Sequence, residues 1–154
     1  MLRKKSGSAI TEMGPALFIL IFVGVFPLLD LIFAGSAYCA CVLLNNLELR
    51  EASRIPASQL DNSMTQVAQN WKTSGIGQFA GILGDPQTQY DYSTVRIDGS
   101  ATAGNEVYVN VATTVTLRPF MPIPFLNSIP VLGAPVTYII HGRRLLANAA
   151  LANM

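Results

Sequence analysis

Along this chain the apolar positions change rhythm twice, from a continuous run to a helical stripe and then to strict alternation. Residues 13–29 form seventeen positions without a charged side chain, and after Asp30 the apolar character resumes through Leu44. A straight helix over 13–29 is about 25 Å long at ~1.5 Å per residue, slightly under a ~30 Å hydrocarbon core. Extending the segment to 13–34 completes a transmembrane span and brings Asp30 near one interface. Leu43, Leu44, Leu47 and Ile55, with Glu48, Arg50, Glu51 and Arg54 on the more polar side, carry the helical pattern on to about Ser53, and Pro56 ends it. The pattern predicts one helix over 8–55, lipid-compatible in its first half and amphipathic in its second. Pro15 lies near its start, where proline is tolerated, whereas Pro27 predicts a kink.

A second helix is signalled by Ser58 as N-cap with Asp61 three residues on, followed by Leu60, Met64, Val67 and Trp71, a stripe expected to lie against a sheet. Gly75 and Gly77 end it, and 76–84 reads as a small apolar loop or short helical turn. The last third alternates, so 94–98, 106–118 (with Val107, Val109 and Val111 on one face) and 136–141 read as three strands. Asp98, Gly99, Gly104 and Asn105 supply turn chemistry between the first two. The second and third are joined by 119–134, where Pro119, Pro122, Pro124 and Pro130 stand among large apolar residues and forbid a regular helix or a central strand. This connection is either a contact surface or a satellite core folded over the sheet. The segment 143–154 reads as weakly helical. The fold class is α+β: a long N-terminal transmembrane and amphipathic helix, a second helix and a small antiparallel sheet, with 56–154 as an extracytoplasmic domain.

Composition supports a membrane segment, because 51% hydrophobic and 12% charged residues are too apolar for a soluble domain of 154 residues. Charge orients it. Arg3, Lys4 and Lys5 precede the run and no cation follows until Arg50, which leaves the N-terminus in the cytoplasm and the C-terminal domain outside. The expected location is the inner, cytoplasmic membrane, in a single pass. A cleavable secretory signal also begins with cations, but this run exceeds the usual ~7–15 residue core, although Ala34, Gly35 and Ser36 could serve such a cut. Beyond residue 7 the chain holds seven cations against nine acids, a net −2, and no basic patch, so nucleic acid is not an expected partner. Cys39 and Cys41 are about 200° apart around a helix and cannot bridge each other there; they read as packing residues, with an intersubunit disulfide as the other option.

Catalytic chemistry is hard to assemble from these residues. His141 is the only histidine, and with the two cysteines it makes no zinc set. No Gly-x-Ser-x-Gly elbow surrounds a serine. Gly75, Gly77 and Gly81 follow no strand and precede no lysine, which argues against a phosphate loop. Asp85, Asp91 and Asp98 lack calcium-loop spacing. The chain is expected to be a non-enzyme, without cofactor or metal.

One acid stands out. Glu12 lies at the lip of the apolar run, where a carboxylate needs a partner, since one at the centre of a membrane helix costs ~2.5 to 3.5 kcal/mol on insertion scales. Lys4, Lys5, Ser6 and Gly7, then Ser8 through Glu12 and the apolar run, resemble the class III signal of type IV pilin-like proteins. Asp30, the patch Arg50, Glu51, Ala52, Ser53 and Arg54, and a late strand followed by a proline-rich link with Val131, Leu132 and Gly133 resemble the TadE-like branch, minor pilins or pseudopilins of tight-adherence systems. Two features depart from that pattern: Ser6 stands where many relatives carry a basic residue, and Pro15 and Pro27 make the helix less regular than in a major pilin. The resemblance implies a leader at 1–7 and a prepilin peptidase cutting between Gly7 and Ser8. It also implies Glu12 as the assembly residue, with Asp30, Arg50 and Arg54 in helix packing or interfaces. The implied partners are other pilin-like subunits, the pilus assembly machinery and membrane lipid, and the implied role is in an adhesion or secretion pilus. The competing readings are a single-pass envelope protein not processed as a pilin, and an exported enzyme tethered by its N-terminal segment.

Overall fold

A computed structural model describes residues 8–96, 105–123 and 126–153. The first elements are α1 (Ser8–Ile19), a π-helical turn (Leu20–Val25) and α2 (Phe26–Ala52), which follow one another without a break. Pro15 sits two turns into α1 rather than at its first position, so the carbonyl four residues before it gets no amide there. A π-helical turn precedes Pro27, where a kink is expected. Proline cannot donate to the carbonyl four residues back and its ring crowds it; immediately before it the helix widens, and the Phe26 amide bonds the Ile21 carbonyl, five residues back.

Burial divides this long helix. None of residues 13–29 is buried, and the first buried position is Asp30, followed by Ala37, Ala40, Cys41, Leu44, Asn45, Glu48, Leu49 and Ala52. These spacings trace one face of α2. That face is rotated from the expected one: Glu48, placed on the polar side by sequence, is fully buried, whereas Leu43 and Leu47 are exposed. Ala37, Cys41, Leu44, Glu48 and Ala52 recur at four, three, four and four residues, and it is this row that the sheet covers.

The helix ends at Ala52, and Pro56 occupies the N-cap of α3 (Ala57–Thr73). Ser58 therefore lies inside the first turn and does not cap it. Pro56 brings a suitable extended backbone but no side-chain acceptor. Leu60, Met64, Ala68 and Trp71 are the buried residues of α3, with Val67 partly buried. The stripe packs beside α2 and shares its two core clusters with the sheet. A short helical turn, α4 (Gly75–Phe79), follows, capped by Ser74 Oγ, which accepts from the Gly77 amide at 3.2 Å. Gly77 is needed there because a Cβ would collide with the backbone of Trp71 and Lys72.

Three strands, β1 (Gln87–Arg96), β2 (Asn105–Leu117) and β3 (Val136–Leu145), form an antiparallel sheet in that order. β1 begins seven residues before its expected start. Its inward positions there are Thr88, Tyr90 and Tyr92, whose hydroxyls disguise the alternation. β3 runs four residues past His141 and pairs Leu145 with Tyr108, so His141 is mid-strand and exposed. The expected helical tail is reduced to a 3-10 turn at Ala149–Asn153. On β2 the residues Val109, Val111, Thr113, Val115 and Leu117 are buried and their neighbours are not. This places α2 and α3 on one face of the sheet and leaves the other open. Asp98, Gly99 and Gly104, expected in the β1–β2 turn, lie outside the described residues.

Candidate functional site: the long helix and where it leaves the domain

Ser8 is the first residue of α1, and Gly7 lies outside the described residues. Glu12 belongs to α1, with its side chain also outside what is described. Eighteen residues separate Glu12 from Asp30, about 27 Å of helix at ~1.5 Å each. Between them none of residues 13–29 is buried. The helix Met13–Ala52 is, by length and composition, suited to crossing a membrane.

Asp30 marks where the domain takes hold of the helix. Its side chain is 1% exposed, and Oδ1 accepts from the Met121 amide at 2.8 Å; Oδ2 has no hydrogen-bond partner among the described residues. The bond ties the proline-rich connection to α2. That connection closes on itself through the Ile123 amide to the Leu132 carbonyl, 3.1 Å, and the Val131 amide to the Ala134 carbonyl, 3.1 Å. Val131 has φ 75°, an uncommon conformation for a β-branched residue. Gly133 passes against the Leu126 carbonyl, where a Cβ would collide. In the connection Ile123 is buried, while Phe120 and Ile129 are exposed.

Near the end of α2 and just beyond it, Arg50 and Arg54 are exposed beside an open groove between α2 and α3 lined by Leu43, Leu47, Val67 and Ile76. Cys41 is buried, and burial pushes its thiol up to about 11; Cys39 is exposed, and both are free. The two do not pair.

A buried polar set fastens α2 to the sheet, and sequence reasoning missed it. Asn45 Nδ2 donates to Thr113 Oγ1 at 2.9 Å and to the carbonyls of Val111 and Ile140 at 3.2 and 3.3 Å. Thr113 Oγ1 in turn donates to Glu48 Oε2 in a short bond, and Thr88 Oγ1 donates to Glu48 Oε1 at 2.7 Å. Burial pushes the Glu48 carboxyl above its ordinary value, and the hydroxyl bonds from Thr113 and Thr88 oppose that shift. Gly142 of β3 makes the close approach feasible, because a Cβ there would strike Leu49 and Asn45. The signal was present in the sequence as Asn45 and Glu48, three apart on the helix row that also carries Cys41 and Leu44.

Asp85 pairs with Lys72 at 2.7 Å, and Asp91 is exposed on the sheet. Asp98 lies outside the described residues. Among the described residues no three His, Cys, Asp or Glu side chains cluster as metal ligands. Comparison of the chain with protein-family models, curated proteins and solved structures gave no match.

Proposed function

We propose that this protein is a membrane-inserted, prepilin-like subunit, a minor pilin or pseudopilin of the TadE-like kind, cut between Gly7 and Ser8 by a prepilin peptidase. It is not an enzyme. It joins other pilin-like subunits and their assembly machinery, within or at the end of an adhesion or secretion pilus. One observation carries this reading: a continuous helix extends from Ser8, the first described residue, to Ala52, with none of residues 13–29 buried and a small α+β domain gripping only its second half. Such a helix suits two environments in turn, lipid before assembly and neighbouring helices after it.

In this mechanism the cut frees an α-amine at Ser8, largely protonated at neutral pH given an ordinary value of ~7.7 to 8.0. Glu12 of one copy pairs with that amine on another. The pair fixes axial register, since a carboxylate left alone among apolar helices is costly. Mass spectrometry of the mature N-terminus tests the reading: a chain beginning at Ser8 is expected, and a Gly7→Ala variant should retain its leader. An intact Met1 in the native protein, or normal processing of Gly7→Ala, would refute it.

A further inference from the structure

We infer that the base of the domain, around Phe79, Phe120 and Arg118, is a lipid-binding surface that rests in the headgroup and upper acyl region of the bilayer. The inference depends on the membrane-anchor part of the reading above and on nothing in pilus assembly. Phe33 of α2 is its hub. The Phe33 ring lies 5.3 Å from Phe79 of α4 and 5.0 Å from Phe120 of the proline-rich connection. Phe79 and Phe120 are nonetheless 56% and 55% exposed, and Ile76, Leu83 and Ile129 are exposed nearby in sequence.

The axial level decides what covers this surface. Twenty residues at ~1.5 Å fill a ~30 Å hydrocarbon core, so a core that starts at Met13 ends at Ile32. Phe33 is the next residue. The aromatic cluster therefore falls at the outer boundary of the core, the level at which interfacial segments bury Trp, Phe and Leu side chains. Leu29, one helical turn below Phe33, is exposed, and Leu28, Leu31 and Ile32 are exposed around the same turn of the span.

The chemistry of the cleft agrees. A cleft of about 560 Å³ opens between Phe33, Phe79, Phe120 and Pro122, with Arg118 as the one cation and no carboxylate in its lining. Arg118 is exposed, and its stem lies over Gly81, where a Cβ would sit 3.4 Å from Cγ. A cation held over apolar surface in this way reaches a lipid phosphate while its methylenes stay with the acyl chains. The surface is also pinned. The Arg118 amide donates to the Gly81 carbonyl at 3.1 Å, the Leu83 amide to the Thr116 carbonyl at 2.8 Å, and Asp30 holds Met121 from the helix side.

The test uses the full chain in phosphatidylglycerol-containing vesicles, with tryptophan introduced singly by Phe120→Trp, Phe79→Trp or Leu20→Trp. Trp71, the one native tryptophan, is 5% exposed and gives the baseline in the parent protein. Lipids brominated high on the acyl chain are expected to quench the added fluorescence of Phe120→Trp and Phe79→Trp at least twofold. Lipids brominated near the methyl end should quench Leu20→Trp instead. Quenching of Leu20→Trp without quenching at 79 or 120 overturns the lipid surface and leaves the anchor standing. Absence of quenching at all three overturns the anchor and the inference with it.

Discussion

Replacing Glu48 separates two roles that its burial combines. The carboxylate is fully enclosed, accepts two hydroxyl hydrogen bonds and has no cation paired with it among the described residues. Glutamine keeps the shape and removes the charge: its oxygen can take the Thr113 proton, and its amide can donate to Thr88 Oγ1. Alanine keeps neither. It strands the enclosed Thr113 donor and half-strands Thr88, at ~1 to 3 kcal/mol for each unsatisfied group, and it leaves a gap under the sheet. Glu48→Ala should therefore cost about 3 kcal/mol, or on the order of 10 °C in Tm for a domain of this size. For Glu48→Gln the sign depends on pH. The folded-state pKa is raised above the ordinary 4.5, so the folded protein holds this proton more tightly than the unfolded chain. Wild-type stability from this group is complete below about pH 4.5 and is lost as pH rises through the folded value. The glutamine variant has no such loss, so its Tm minus that of wild type should become more positive from pH 4 to pH 8. Thermal melts of the full chain in detergent, followed by circular dichroism, measure that difference and cancel the other carboxylates. A flat difference, or a glutamine variant as unstable as alanine at pH 8, would refute the reasoning.

One other substitution and one labelling experiment probe the same helix. Gly142→Ala drives a methyl into Leu49 and Asn45 and should cost about 1 to 3 kcal/mol, seen as a lower melting temperature with the membrane segment still inserted; an unchanged melt would contradict the close approach. Cys39 should react with a membrane-impermeant maleimide added from the extracytoplasmic side, while Cys41, buried and with its thiol at about 11, should stay unlabelled until the domain is unfolded. Equal labelling of the two would place the helix face wrongly.

The large features were legible because each rests on a strong local signal. The uncharged run at 13–29, the valine alternation of β2 and the stripe Leu60, Met64 and Trp71 needed no tertiary information. What escaped depended on which face the sheet would choose. Leu43 and Leu47 looked like core and Glu48 like surface, because hydropathy alone cannot tell that two threonines on distant strands will satisfy a buried carboxylate. The start of β1 escaped for a related reason, its inner row being hydroxylated. Ser58 had the chemistry of a cap, but Pro56 had already set the backbone of the helix start. Asp30 was readable as an acid near an interface, whereas its contact with Met121, ninety-one residues away, was not.

That contact gives the two acids at the ends of the apolar run different expected behaviours. Asp30 is accommodated within the chain: the domain closes over it and supplies an amide. The same domain cannot serve Glu12, which lies about 27 Å further down a helix that runs the other way from residue 30. In the proposed mechanism its partner is the Ser8 amine of another copy. Glu12→Ala should therefore insert at least as well as wild type, since an acid has been removed from the edge of the hydrocarbon, and should keep a normal melting temperature. It should be depleted at least tenfold from assembled filaments when expressed beside wild-type subunits, a factor equivalent to ~1.4 kcal/mol per pair. Asp30→Ala should do the reverse at the level of the fold, freeing the Met121 amide and making the proline-rich connection more susceptible to limited proteolysis in the unassembled subunit. Incorporation of Glu12→Ala at wild-type level would remove the charge pair from the mechanism. Resistance of Asp30→Ala to the protease would show that the aromatic contacts of Phe33 hold the connection without the carboxylate.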